Sequence, residues 1–258
     1  MECDKKKDGP ILKTVIATVL LLLFFFMQGT VARVNNITGA ESAFVRGSVI
    51  WCLVIITLTY FGIRYGSLSG VGFRKPKQGS ARKLLYFIPL FVVALLHFVT
   101  GLSLSRGVGL IVAYLYFSLS VGVAEEIYFR GIICNMWLEK GLMKAMLVSS
   151  ILFGLCHLLN LVTGSNLSKT IPQICFALAY GLVFAMIFYV GRSVIVCMLL
   201  HAFHDLCSFI SGSGTKQLNI ILGAVQFMIL VAYFIYLYRN NGYSDLQEES
   251  YDKGITDD

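Results

Sequence analysis

Eight mostly apolar stretches, each near or beyond the length that crosses a bilayer, set the terms on which this chain can fold. A span needs roughly 17 to 25 apolar residues, because a helix rises about 1.5 Å per residue and the hydrocarbon layer is about 30 Å thick. The stretches are Ile11 to Gln28, Phe44 to Ile63, Leu84 to Leu104, Val108 to Leu138, Met143 to Leu161, Ile171 to Val190, Ser193 to Ile210 and Leu218 to Tyr238. Short loops containing Gly, Ser, Asn or Lys separate them. Lipid offers the backbone no hydrogen bonds, so segments of this kind cross as helices. The expectation is an all-α polytopic membrane protein with about eight transmembrane helices, forming a single membrane domain over residues 1–240. The fourth stretch is longer than a straight span needs, and is expected to tilt, break or continue along the interface.

Composition agrees with that class. Of the 258 residues, 57% are hydrophobic and 14% charged, where a soluble domain is about one quarter charged. A net charge of +7 would suggest nucleic acid in a soluble protein. Here the basic residues fall in loops, where they set topology and meet anionic lipid. Membrane lipid is therefore the expected partner, and nucleic acid is not. The seven cysteines, Cys3, Cys52, Cys134, Cys156, Cys175, Cys197 and Cys207, show no CxxC or metal-finger spacing, and most sit in apolar runs as small hydrophobes.

Eight spans with both termini inside allow Lys and Arg to be counted by side. Fifteen of the 21 fall inside: Lys5, Lys6, Lys7, Lys13, Arg64, Arg74, Lys75, Lys77, Arg82, Lys83, Lys140, Lys144, Arg192, Arg239 and Lys253. Arg33, Arg46, Arg106, Lys169 and Lys216 fall outside, and Arg130 lies within a span. Merging or splitting one span would destroy this asymmetry. The N-terminus also resembles a secretory signal, but its apolar run exceeds the usual roughly 7 to 15 residues, and an uncleaved first span is preferred. The acidic segment 241–258 reads as a disordered cytoplasmic tail.

Within the spans lie charges that cost at least about 2.5 to 3.5 kcal/mol each at the bilayer centre, so they need partners or water. They are Glu125, Glu126, Arg130 and Asp205. Glu126 and Arg130, four apart, can pair on one helical face, while Glu125 is turned about 100° away and is free to face something else. A purely structural ion pair is the rival reading of Glu126 and Arg130. Phe153 and His157 share a face, as do His201, His204 and Asp205. Three polar side chains on one stripe of an apolar span imply a wet or protein-lined cavity. His97, alone in its span, is read as an inter-helix hydrogen bond and carries no functional expectation. His204 stands between packing and support of the stripe.

Glu125-Glu126-Ile127-Tyr128-Phe129-Arg130, then Phe153 to His157, then His201 to Asp205 resemble, in order, the EExxxR, FxxxH and HxxxN/D motifs of the CPBP intramembrane protease family. That family includes CAAX-prenyl endopeptidases and bacteriocin-processing or self-immunity proteins. The resemblance covers the motif-bearing core, residues 108–210, and places a site between helices four, five and seven. It implies that Glu125 and His157 activate a water, with Arg130, His201 and Asp205 supporting them, while Glu126 stands in the candidate set mainly as the partner that keeps Arg130 tolerable in the membrane. The chemistry is consistent: a carboxylate in a low-dielectric cavity near a cation can be poised as a general base, and a protonated histidine can donate to an oxyanion. Asp205 stands where Asn is commoner, and an ionised aspartate cannot donate to an oxyanion. It can instead orient His201, stay protonated, or join Glu125, His157 and His201 around a divalent metal such as zinc.

The expected function is an intramembrane endopeptidase acting on a membrane-associated peptide or lipidated precursor, through either glutamate or metal chemistry. Two rivals are a non-catalytic immunity or signalling partner on the same scaffold and a proton-coupled carrier. Short loops and no retention signal at the tail point to a bacterial cytoplasmic membrane and a leader-type peptide, with a prenylated CAAX substrate as the alternative. The oligomeric state stays open.

Overall fold

A computed structural model describes residues 9–103 and 107–242. Lys5 to Lys7, Leu104, Arg106 and the acidic tail beyond residue 242 lie outside the described residues. The chain forms α1 (Pro10–Val34), α2 (Gly39–Tyr65), α3 (Leu85–Thr100), α4 (Val108–Lys140), α5 (Leu142–Val162), α6 (Leu167–Gly191), α7 (Val194–Ile210) and α8 (Lys216–Asn241). Among the described residues the only β pairing is an isolated bridge between Leu102 and Ser211.

Each expected apolar stretch holds a helix, and among the described residues six of the helices are long and apolar enough to cross a membrane, while α3 and α7 are shorter. Length and composition thus support six spans, and the count of eight full spans is not confirmed. The reason for α3 is local: Leu85, Tyr86 and Phe87 all have positive φ, and Leu96–Thr100 is wound as a 3₁₀ turn. Even the whole of Leu85–Thr100 reaches only about 24 Å, short of the hydrocarbon thickness. It is held to the bundle by Tyr233 of α8, which donates to Leu84 O at 2.6 Å, and by Gln226, which donates to Val93 O at 2.9 Å.

α6 is the centre of the bundle, with 61% of its apolar window buried, against 17% for α1. Outward-facing Val15, Ile56, Met228 and Ile235 leave an apolar belt on the peripheral helices, as lipid contact requires. α4 packs against α2 and α7, and through its second half against α5. Its contact with α7 is backbone-close: a Cβ on Gly122 would lie 2.9 Å from Ala202 N and 3.1 Å from Met198 O. Only glycine permits that approach, as at other small-residue crossings within membranes.

α4 resolves the excess length of the fourth stretch by a change of winding. It runs 33 residues without a break, as α-helix to Glu126 and then as π-helix over Ile127–Cys134. The wider turn shifts the usual backbone bonds, a feature that recurs at functional sites. One carbonyl of this segment, that of Phe129, accepts from Ser149 Oγ of α5 at 2.8 Å.

Candidate active site

The π-helical turn begins where the charges are. Arg130, fully buried, donates through Nη1 to Glu126 Oε1 at 2.9 Å, and through Nη2 to Gly181 O on α6 at 3.3 Å. Its guanidinium lies over the rings of Phe153 and Phe184, at 4.6 and 5.4 Å from their centres. One cation thereby ties α4, α5 and α6 together. Glu126 Oε1 also accepts from His201 Nδ1 of α7 at 2.8 Å. Fully desolvated ion pairs are tolerated only when hydrogen bonds complete them, and His201 supplies one.

That bond fixes which way His201 faces. With Nδ1 turned to Glu126, Nε2 points to Glu125 Oε2 at 3.5 Å and Asp205 Oδ2 at 3.7 Å. Both separations exceed a direct hydrogen bond. Phe153, Tyr180 and Phe184 meet the His201 ring edge to face, at 5.9, 5.7 and 6.0 Å, leaving the imidazole little freedom. His157 sits in the turn that ends the regular part of α5, edge-on to Phe153 at 5.6 Å. Glu125, His157, His201 and Asp205 all line one cavity of about 1670 Å³. That is larger than the roughly 300 to 1,000 Å³ of a small-molecule pocket.

His97 does make the inter-helix hydrogen bond expected of it, Nε2 to Nε2 of His204 at 3.3 Å. His204 also stacks on Phe176, and its Nδ1 lies 3.7 Å from Asp205 Oδ1. Asp205 therefore stands between two histidines. Sequence reasoning placed the site between helices four, five and seven and missed the α6 wall. Tyr180 and Phe184, four apart and stacked 4.3 Å ring to ring, carried only the signature of core packing.

The expected metal set does not gather into a binding group: among the described residues no three His, Cys, Asp or Glu are placed to hold a metal ion. Glu126 is already engaged by a cation and His201 Nδ1 by Glu126. The arrangement suits a carboxylate and histidine site better than a cation cage.

Comparison with known proteins supports the resemblance. The family model described as Rce1-like, type II CAAX prenyl endopeptidase Rce1-like, matches residues 107–207. That is less than half of the chain, and it contains Glu125, Glu126, Arg130, His157, His201 and Asp205. No curated protein matches the chain.

Proposed function

We propose that the chain is an intramembrane endopeptidase in which Glu125 and His157 activate a water against a peptide carbonyl. The family match supports a CAAX-type membrane protease at the coarse level. The observation that carries the finer reading is that Glu125 and His157 open into one large cavity, backed by His201, whose Nε2 is 3.5 Å from Glu125.

In this reading Glu125 takes a proton from the water as its oxygen bonds to the carbonyl carbon, with His157 orienting the water. The oxyanion receives a hydrogen bond from His201 Nε2, while Nδ1 stays held by Glu126. When the C–N bond breaks, the proton on Glu125 passes to the leaving amine. Asp205 balances the charge on His201 from 3.7 Å, without donating to the oxyanion. Glu126 and Arg130 hold the geometry. The motif-bearing core, 108–210, lies within a membrane domain spanning 1–240.

The orientation we favour has both termini in the cytoplasm of a bacterial cell. The helices line the cavity from the ends bearing Arg33, Arg46, Lys169 and Lys216, remote from Arg64, Arg74, Lys140 and Arg239. The side richer in Lys and Arg is cytoplasmic, so the mouth opens on the other face, which favours an exported peptide over a cytosolic prenylated one.

The test is incubation of purified protein in detergent with leader-type and prenylated peptides, with and without chelator, read by mass spectrometry. Cleavage that survives chelator is expected. Glu125→Ala, His157→Ala and His201→Ala should each lose product while eluting as folded protein. Wild-type cleavage by all three would sink the reading and leave a non-catalytic partner as its successor.

A further inference from the structure

Arg46 takes no part in activating the water or holding the oxyanion, yet it is a half-buried cation inside a spanning helix. Its Nε donates to Gln28 Oε1 of α1 at 2.5 Å, and Gln28 is itself buried. Its guanidinium lies over the Phe117 ring of α4, 4.5 Å from the centre. Gln28, Arg46, Phe117 and Glu125 all line the same cavity. Among the described residues no carboxylate pairs with Arg46, and its two terminal nitrogens carry no hydrogen bond. An ionisable group in a span implies a partner. Here a buried amide and an aromatic face hold the fork in place, and its open edge is left for something in the cavity.

The position of that fork relative to Glu125 is set by α4. Phe117, Val121 and Glu125 form one stripe of regular α-helix and all line the cavity. Eight residues of rise separate Phe117 from Glu125 by about 12 Å along the axis. An extended peptide covers about 3.3 Å per residue, so this is the reach of about three to four residues.

Resting on the peptidase reading, we propose that Arg46 is a substrate-binding residue that receives a peptide carboxylate three to four residues from the scissile bond. A planar fork with two free donors matches a carboxylate in bidentate fashion. A free C-terminus and an acidic side chain offer the same chemistry, and either satisfies the site. Lys169 and Lys216, also on the cavity wall, add the same sign of charge on the way in.

The test uses full-length Glu125→Gln protein, so that binding is read without turnover. The probes are two sets of decapeptides, one of leader type and one S-farnesylated with the modified cysteine fourth from the end, and each set holds three peptides that differ at the terminus. One ends in a free carboxylate, one in a carboxamide, and one in a carboxamide with Asp at the final position. The free carboxylate is expected to bind about tenfold or more tightly than the plain carboxamide, and the Asp peptide shows whether a side chain can replace the terminus. Adding Arg46→Gln should abolish the preference, Arg46→Lys should restore part of it, and Gln28→Leu should weaken it without removing the charge. Equal binding of acid and amide peptides overturns the proposal, as does a preference that survives Arg46→Gln. So does the finding that phosphatidylglycerol in nanodiscs occupies Arg46 while peptides bind indifferently. Wild-type cleavage run in parallel separates the two readings: no cleavage with an intact binding preference counts against the peptidase alone. Cleavage indifferent to Arg46→Gln counts against the subsite alone.

Discussion

Glu126 Oε1 accepts two charge-assisted bonds at once, from Arg130 at 2.9 Å and from His201 at 2.8 Å. Removing this carboxylate leaves Arg130 buried without a counter-charge. Glu126→Ala is therefore expected to cost about 3 to 5 kcal/mol, seen as a large drop in the detergent unfolding midpoint. The His157 side chain meets the Phe153 ring and makes no hydrogen bond among the described residues. His157→Gln should leave that midpoint nearly unchanged while lowering kcat by about 10² to 10⁴. An equal fall in both quantities would make His157 structural. At Asp205, the contacts of 3.7 Å to both His201 and His204 are too long to be hydrogen bonds, so its effect is one of charge and shape. Asp205→Asn keeps the shape and should retain kcat/KM within about tenfold, since a screened pair at this distance contributes on the order of 1 kcal/mol. Asp205→Leu should lose more.

Among the elements, the crossing of α4 and α7 decides whether the two motifs meet. A side chain at Gly122 would press on the backbone of Ala202 and Met198, and backbone cannot rotate aside. Gly122→Val is expected to push the helices apart and cost about 1 to 3 kcal/mol of overpacking. It should also break the bond from His201 to Glu126 and remove most peptidase activity, although Gly122 touches no substrate. Gly62→Ala, where a Cβ meets nothing within 4 Å, is the control and should leave midpoint and cleavage unaltered. The π-helical winding of Ile127–Cys134 acts at the same scale. It begins immediately after the paired glutamates, and within it Arg130 still reaches Glu126.

For the molecule as a whole, the consequence open to test is sidedness. The cavity is reached from the helix ends that carry Ser168 and Lys216, and the loops rich in Lys and Arg lie at the other ends. Ser168→Cys should react with a membrane-impermeant maleimide in intact cells, and Arg74→Cys only after lysis, each read by mass spectrometry of the modified peptide. The reverse pattern would place the mouth in the cytoplasm and turn the substrate assignment towards a cytosolic prenylated peptide. The arrangement of α6 at the centre, with α1, α2 and α8 outside it, explains why the site can be polar without exposing charge to lipid. Its polar groups are enclosed by other helices before lipid is reached.

The sequence by itself determined the helical class, the segments that become helices and the residues worth watching. Apolar run length and the cost of an intramembrane charge are both properties of the chain read in order. It also determined that Glu126 and Arg130 could meet, because four residues on a helix are neighbours. Only the tertiary structure decided that Glu126 is shared with His201, that α6 contributes Tyr180 and Phe184 to the site, and that α3 falls short of a full span. These depend on contacts between residues distant in the chain, such as the 75 positions from Glu126 to His201. No periodicity records them. His97 shows the boundary between the two: its inter-helix bond was legible from its solitude in an apolar run, but its partner, His204, was settled by how α3 and α7 pack.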